Sequence, residues 1–379
     1  MKFLHLVYAN ILRKKMRFFL TIGSFGVALF LFGILVAIHN GFYQGIDAVE
    51  DNRLVVRNKT SLMVFLPYSY KAKIEAMEGV EYVIPSVWFA GVYQDRKNFF
   101  SQFAIETAGW VETYPEYAID KDQWSAFEND RQGCMVGRAL AEKFGWEIGD
   151  RIPLEGTIFP GAWEFNICGI FEGNKKNVDL NQMWIRYEYL AESIPFMKGQ
   201  VGWYAVKAIH TDYVNGLISR IDGEFSNSPA ETKTEPEKIW MLGFVKQMGN
   251  IKLILISVGG VVIFTLLLVT GSTMAMSVRE RTSEWATLKT LGYGDTLVLG
   301  LVLGESFFYA IIGGAIGLGL ACLFVSKGDP TGMMGGLFTL SPDNIFAGLT
   351  LTLITGFIAG VLPAISAMKL RIVDALRRV

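Results

Sequence analysis

Few residues in this sequence could do covalent chemistry. The three histidines, His5, His39 and His210, fall in different regions, so no metal-ligating cluster can be drawn. There is no G-x-S-x-G elbow, no Cys/His constellation and no G-x-x-x-x-G-K-[ST] phosphate loop. No catalytic, metal or cofactor residue is therefore assigned to the chain. What remains is charge in unusual places. Glu305 is the single charged residue of segment 296–325, and an acid within an apolar run is costly and often functional. It lies close enough to Asp295 to pair with Arg279 or Arg281 near the membrane edge; a proton or substrate role is the other reading. The second place is "MAMSVRERTSEWATLKTLGYGD", Met274 to Asp295, with six charged residues between two apolar runs. On a helical wheel Arg279, Glu280, Arg281, Glu284 and Lys289 spread around the axis, with Val278, Trp285, Ala286, Leu288 and Leu291 between them. Arg281 and Glu284 form an i,i+3 pair, and Arg281 can also stack on Trp285 at i+4. Leu291-Gly292 reads as a helix stop. A helix lying on lipid segregates its faces, and this one does not. It is either a solvated helix held by its own charges or one that projects into a groove of a cytoplasmic protein.

The elements that must hold these residues are membrane helices. The chain is 51% hydrophobic and 19% charged, and the apolar excess is concentrated in segments 18–46, 253–278, 296–325 and 344–368. Each exceeds the roughly 20 helical residues that cross a hydrocarbon core of about 30 Å. Residues 1–17 carry five Lys/Arg, 277–295 three and 369–379 four, whereas 326–342 carry only Lys327. The positive-inside rule therefore puts both termini and the charged connector in the cytoplasm. Residues 47–250, with 21 basic and 29 acidic side chains, then lie outside. "ILRKKMRFF" resembles the charged region of a signal peptide, but the apolar run after it is too long and has no A-x-A-like exit, which favours a retained helix. Cys134 and Cys168 share the outer region, and spacing leaves open whether they pair; Cys322 lies in a membrane segment.

The outer region reads as mixed α and β. "RLVVR" (53–57) and 80–93 look like strands around a helix at about 68–78, opened by Pro67 and ended by Gly79. "GWYAVKAIH" (202–210) is strand-like, and Val214, Leu217, Ile218, Ile221 and Phe225 make one helix face. These two β-α-β-like parts, 47–94 and 201–234, are expected to pair, with 95–200 inserted between them. Within the insertion, "GRALAEKFGWEIGDRIPLEG" reads as helix, Gly stop, turn and strand. "WEFNICGIFEG" alternates so that Phe165, Ile167, Gly169 and Phe171 share one side. Eight of nine tryptophans lie in 47–250, for core packing or for an apolar cargo.

At the exit of this domain, Thr234, Pro236 and Glu237 spell a capping box. No strong breaker follows before 276, although Gly243 and Gly249 weaken the helix; if it is continuous from 235 to 276, its part outside the membrane is a stalk of roughly 24 Å. The first helix is expected to run past the bilayer through "HNGFYQGI". Such stalks serve equally as levers or as struts. Gly313 and Gly317, and Gly348, Gly356 and Gly360, form small-residue stripes for close helix packing, within the chain or in a dimer. Pro363 is expected to kink the last helix.

"MSVRERTSEWATLKTLGYG" resembles the connector of FtsX-like permeases, the MacB class of ABC transporter subunits, roughly v-x-x-R-x-x-E-I-x-x-L-[KR]-x-[LI]-G. Arg281, Glu284, Leu288, Lys289, Leu291 and Gly292 match, and Trp285 replaces the usual aliphatic. "LGESFFYAIIGGAIGLGLA" is similar to that family's third helix through Glu305, Gly313, Gly314 and Gly317. "GVLPAISAMKLRIVDALRRV" resembles its end through Pro363, Ala364, Ala367, Ala375, Leu376 and Arg377, with Ile372 where a proline is usual. "MVGRALAEKFGWEIGDRI" and "FNICGIFEG" are similar to pieces of the MacB-type outer domain.

The resemblance implies a MacB-type architecture: four transmembrane helices, one plus three, with a large mixed α/β extracytoplasmic domain between the first two. Its parts are a cytoplasmic segment 1–17, helix and stalk 18–46, the outer domain 47–234 and stalk and helix 235–276. A coupling helix 277–295, helix 296–325, external loop 326–342, helix 343–368 and tail 369–379 follow. It also implies a homodimer or a pair with a related permease, over separate cytoplasmic ATPase subunits that bind ATP and Mg. A periplasmic membrane-fusion protein and an outer-membrane channel are further partners that the family admits. Arg279, Glu280, Arg281, Glu284, Trp285, Leu288, Lys289, Leu291 and Gly292 then couple to the ATPase. The implied activity is mechanotransmission for export or extraction of an apolar, peptide, lipid or lipoprotein cargo from a bacterial inner membrane. The alternative is a signal transmitter that activates an external partner such as a cell-wall hydrolase.

Overall fold

The structure is a computed structural model that describes residues 15–47, 49–98, 100–175, 178–247, 249–328 and 338–370. Most of the N-terminal segment, the external loop and the tail lies outside the described residues, with Ile372, Ala375, Leu376 and Arg377. In chain order the elements begin with α1 (Lys15–Asp47), β1 (Arg53–Asn58), β2 (Leu66–Pro67), α2 (Tyr70–Glu75), β3 (Val80–Trp88), β4 (Gly91–Val92) and β5 (Ser101–Ile105). Next come α3 (Trp110–Thr113), β6 (Tyr117–Ala118), α4 (Lys121–Asn129), β7 (Gly133–Gly137), α5 (Arg138–Phe144), β8 (Arg151–Gly156) and β9 (Gly161–Gly173). Then follow β10 (Gln182–Arg186), α6 (Tyr187–Ser193), β11 (Gln200–Val201), β12 (Trp203–Ala208), α7 (Val214–Glu224), β13 (Thr232–Pro236) and α8 (Glu237–Gln247). The last are α9 (Ile251–Glu280), α10 (Thr282–Thr290), α11 (Asp295–Val325) and α12 (Pro342–Met368). The chain divides into an outer unit, Asn40–Gly249 with Gly328–Phe338, and a helical unit built from the rest.

The outer unit is organised by an 11-stranded sheet in the order β13-β1-β12-β3-β5-β10-β7-β9-β8-β4, with β6 on β9. The two end pieces interleave: β1 lies antiparallel between β12 and β13, and β12 also pairs β3. The insertion forms no separate sheet, because β5 continues the ladder from β3 through Ser86↔Ile105, Val87↔Ala104 and Trp88↔Phe103. Helices and loops cover both faces, which explains strands that read as near-continuous apolar runs. Val83, Ala104, Cys134, Met183 and Tyr204 feed one core, and their neighbours Ile84, Ile105, Met135, Trp184 and Ala205 feed the other. The α7 face is buried at Val214, Leu217, Ile221 and Phe225. Trp110, Trp146, Trp163, Trp184 and Trp203 are buried, so these five serve packing.

Two local expectations fail here. Phe165, Ile167, Gly169 and Phe171 do not share one side. The β7–β9 register steps from Cys134↔Ile167 to Met135↔Gly169, which leaves Cys168 as a bulge. A one-residue insertion reverses the side on which later residues fall. Phe165 and Ile167 therefore pack in the first core and Phe171 in the second, stacked 3.8 Å from Trp184. The same bulge separates Cys134 from Cys168, which abut opposite cores, and both are free. Burial raises both thiols, Cys168 to about 11, so neither is a reactive thiolate.

The continuous helix from 235 to 276 is also absent. Thr234 lies in β13 opposite Val56, and its hydroxyl and N–H donate to Asp222 at 2.7 and 3.1 Å. Strand pairing overrides the capping box, so α8 begins at Glu237. It ends before Gly249, whose φ of 105° is a left-handed stop. Asn250 then caps α9 by accepting from the Leu253 N–H at 3.1 Å. The first helix, by contrast, runs unbroken to Asp47.

In the helical unit the small-residue stripes pack within the chain. A Cβ on Gly313 would strike Ile22 and Phe25, and one on Gly317 would strike the Gly26 backbone. Gly348, Gly356 and Gly360 face Leu318, Ala310 and Ser306 respectively. The Ser306 hydroxyl donates to the Gly356 carbonyl at 2.6 Å. Close approach of backbones is what glycine stripes permit in a membrane. Pro363 is buried inside α12, which runs on to Met368.

Candidate functional site

The connector is a short helix with two different sides. Helix α9 ends at Glu280, and Arg281, with φ −106° and ψ 21°, separates it from α10. At the other end Gly292, at φ 87°, takes the left-handed conformation. Its N–H donates to the Lys289 carbonyl and the Tyr293 N–H to the Leu288 carbonyl, at 3.1 and 3.2 Å. That pair of bonds is the Schellman stop that the Leu291-Gly292 spacing suggests.

The inward side is locked. The Arg281 guanidinium donates to Glu284 at 2.8 Å and to Glu305 at 3.0 Å, and lies 4.4 Å from the Trp285 ring centre. Glu305 also accepts from the Tyr309 hydroxyl at 3.3 Å. Glu280, one residue earlier, is paired with Arg17 of α1. Lys289 donates to the last carbonyl of α12, Met368 at 2.5 Å, and to that of Leu370 just beyond it at 3.1 Å, and meets Asp295 at 2.8 Å. A cation there suits the negative end of a helix dipole. Trp285, only 1% exposed, packs with Val278, Val298, Val302, Ala364 and Ala367, and Leu288 lies against them.

The outward side carries Arg279, Glu280, Ser283, Thr287, Thr290, Leu291 and Gly292. Leu291 is 70% exposed and Tyr293 40%. Of the charges that spread around the wheel, Glu280, Arg281, Glu284 and Lys289 have partners in this chain. Trp285 belongs to this chain's core and offers no face to another protein. Ser283, Thr287, Thr290 and Tyr293 are exposed on this side as well, beyond the residues that the family resemblance picks out. The i,i+4 spacing that Ser283 and Thr287 share with Leu291 is a sequence signal for those two.

Four apolar helices long enough to span a membrane, with a large α/β domain between the first and second, define a multi-pass membrane protein with an extracytoplasmic domain. Residues 18–223 match the MacB-like periplasmic core domain, and 256–372 match the FtsX-like permease C-terminal domain. The chain belongs to this MacB/FtsX type of ABC transporter permease. An ABC transporter permease of Methanocaldococcus jannaschii is 25% identical over 98% of this chain and 96% of its own length. The ABC transporter permease YknZ of Bacillus subtilis is 32% identical over 65% of this chain and 62% of its own. The macrolide export ATP-binding/permease protein MacB of Psychrobacter cryohalolentis is 24% identical over 60% of this chain, but over 35% of its own length. The chain therefore spans about a third of MacB. The solved extracellular domain of YknZ aligns with a TM-score of 0.37 at 12% identity, covering 48% of this chain and 98% of that domain.

Proposed function

We propose that this permease couples ATP hydrolysis on a separate ATPase subunit to motion of its outer domain, for export or extraction of an apolar, peptide, lipid or lipoprotein cargo. The observation that carries this reading is the two-sided connector. Its inner side is bonded to α11 and α12 through Arg281, Trp285 and Lys289. Its outer side exposes Arg279, Thr287, Thr290 and Leu291 toward a partner's groove. A force on that outer side reaches two membrane helices directly. The Lys/Arg distribution supports a cytoplasmic position for the connector and both termini. With no phosphate loop in the sequence, ATP and Mg are assigned to the partner. Two permease copies, or this chain with a relative, would stand over two ATPase subunits.

The test uses the exposed face, since a Trp285 variant would damage the core. Thr287→Arg combined with Leu291→Asp is expected to cut copurification with the ATPase at least tenfold. Membrane insertion and melting temperature should stay unchanged. Unaltered ATPase binding and stimulation in that variant would sink the coupling assignment.

A further inference from the structure

Arg53 opens β1, and its side chain is 1% exposed, a rare place for a guanidinium. Its Nε donates to Glu237 at 2.6 Å, and its two terminal nitrogens donate to the two oxygens of Glu116 at 2.8 and 2.6 Å. One of them also donates to the Thr113 carbonyl at 3.0 Å, and the Tyr114 ring centre lies 4.4 Å away. Three distant segments meet here: the first residue of β1, the 113–117 segment, and the first residue of α8.

Each partner is itself tied down. The Glu116 carbonyl accepts from the Asn174 N–H at 2.8 Å, and the Asn174 amide donates to the Pro115 carbonyl at 2.9 Å. Tyr117 pairs with Gly173 at the end of β9. On the other side, Asp222 of α7 accepts from Thr232 and Thr234 of β13, which leads directly into α8. Burial alone would lower the pKa of Arg53, but Glu237 and Glu116 more than offset it and keep it charged. Burial raises the Glu237 carboxyl, with Arg53 as the chief opposing influence.

A buried ion cluster is weak evidence for stability, because apolar replacement of the whole set often serves as well. What a bidentate fork with a third ligand supplies is fixed geometry. We propose that Arg53 is a positioning residue that pins the first turn of α8 to the 113–117 segment, so that a displacement of α8 is delivered to the inserted part of the outer domain at the end of β9. The three pairs between β3 and β5 also join the insertion to the end pieces, as do β4 with β8 and the Lys207 ammonium with the Glu112 carbonyl. A ring contact runs from Trp240 of α8 through Trp203 to Phe103. Among these contacts only the Arg53 cluster joins the first residue of α8 to the 113–117 segment. That α8 is driven at all rests on the coupling reading above; the pin itself does not.

Amide hydrogen exchange on the full-length permease in detergent, without ATPase, tests the pin. Glu237→Gln weakens the cluster only at α8. Exchange at 113–118 and 172–175 is expected to rise at least tenfold together with that of 237–241, while β7 is unchanged. A rise confined to 237–241 would overturn the proposal. Arg53→Lys keeps the charge but loses the fork, and guards against general destabilisation by the first variant. It should loosen 113–118 and 237–241 together, and loosening of one alone again overturns the pin. Because no ATPase is present, failure of the coupling reading leaves this result untouched, and failure of the pin leaves the coupling reading standing.

Discussion

Arg53 and Arg281 are built to one recipe, with two carboxylates around a guanidinium and an aromatic ring 4.4 Å away. They differ in reach. The carboxylates of Arg53 lie 63 and 184 residues away, those of Arg281 only 3 and 24. They differ in wetness too, with side chains 1% and 17% exposed. The connector knot is local: most of it can form as soon as α10 and α11 do. The outer knot exists only once the sheet is assembled. The lesson is that one chemical motif fixes a helix junction in one unit and long-range topology in the other.

Three substitutions probe that contrast. Arg53→Met leaves two buried carboxylates without a counter-charge and is expected to cost about 3–5 kcal/mol, read from denaturant unfolding followed by tryptophan fluorescence. A loss under about 1 kcal/mol, typical of exposed pairs, would erase the distinction. Glu305→Gln removes the partner of Arg281 on α11 but leaves Glu284, and about 1–2 kcal/mol is expected; a thermal melt of the purified permease measures it. Glu284→Gln touches only the half-exposed i,i+3 bond and should cost about 0.3 kcal/mol. If Glu284→Gln proved the costlier of the two, the Arg281 knot would be wholly local, and Glu305 would contribute nothing to it.

What could be read in advance follows the same division. The spans were legible because lipid demands long uncharged runs, and the α7 face because its apolar residues repeat with helical period. The contacts of Arg281 with Glu284, Trp285 and Glu305 follow from short spacings. Arg53 gave no such warning, since nothing near it in the sequence pairs with it. The capping box at Thr234 was a sound local signal that lost to pairing with β1. The inward roles of Trp285 and Lys289 depend on the end of α12, some 80 residues on, where no local pattern points.

The bulge at Cys168 carries one more consequence. On either side of it, β9 runs out of phase with itself, so the strand walls two different rooms. The number of residues between Phe165 and Phe171 is therefore as tightly specified as their identities. Losing one would carry Phe171 away from Trp184 and into the chamber that Phe165 already fills. At this point in the chain, relatives are better compared first by counting and only then by letter.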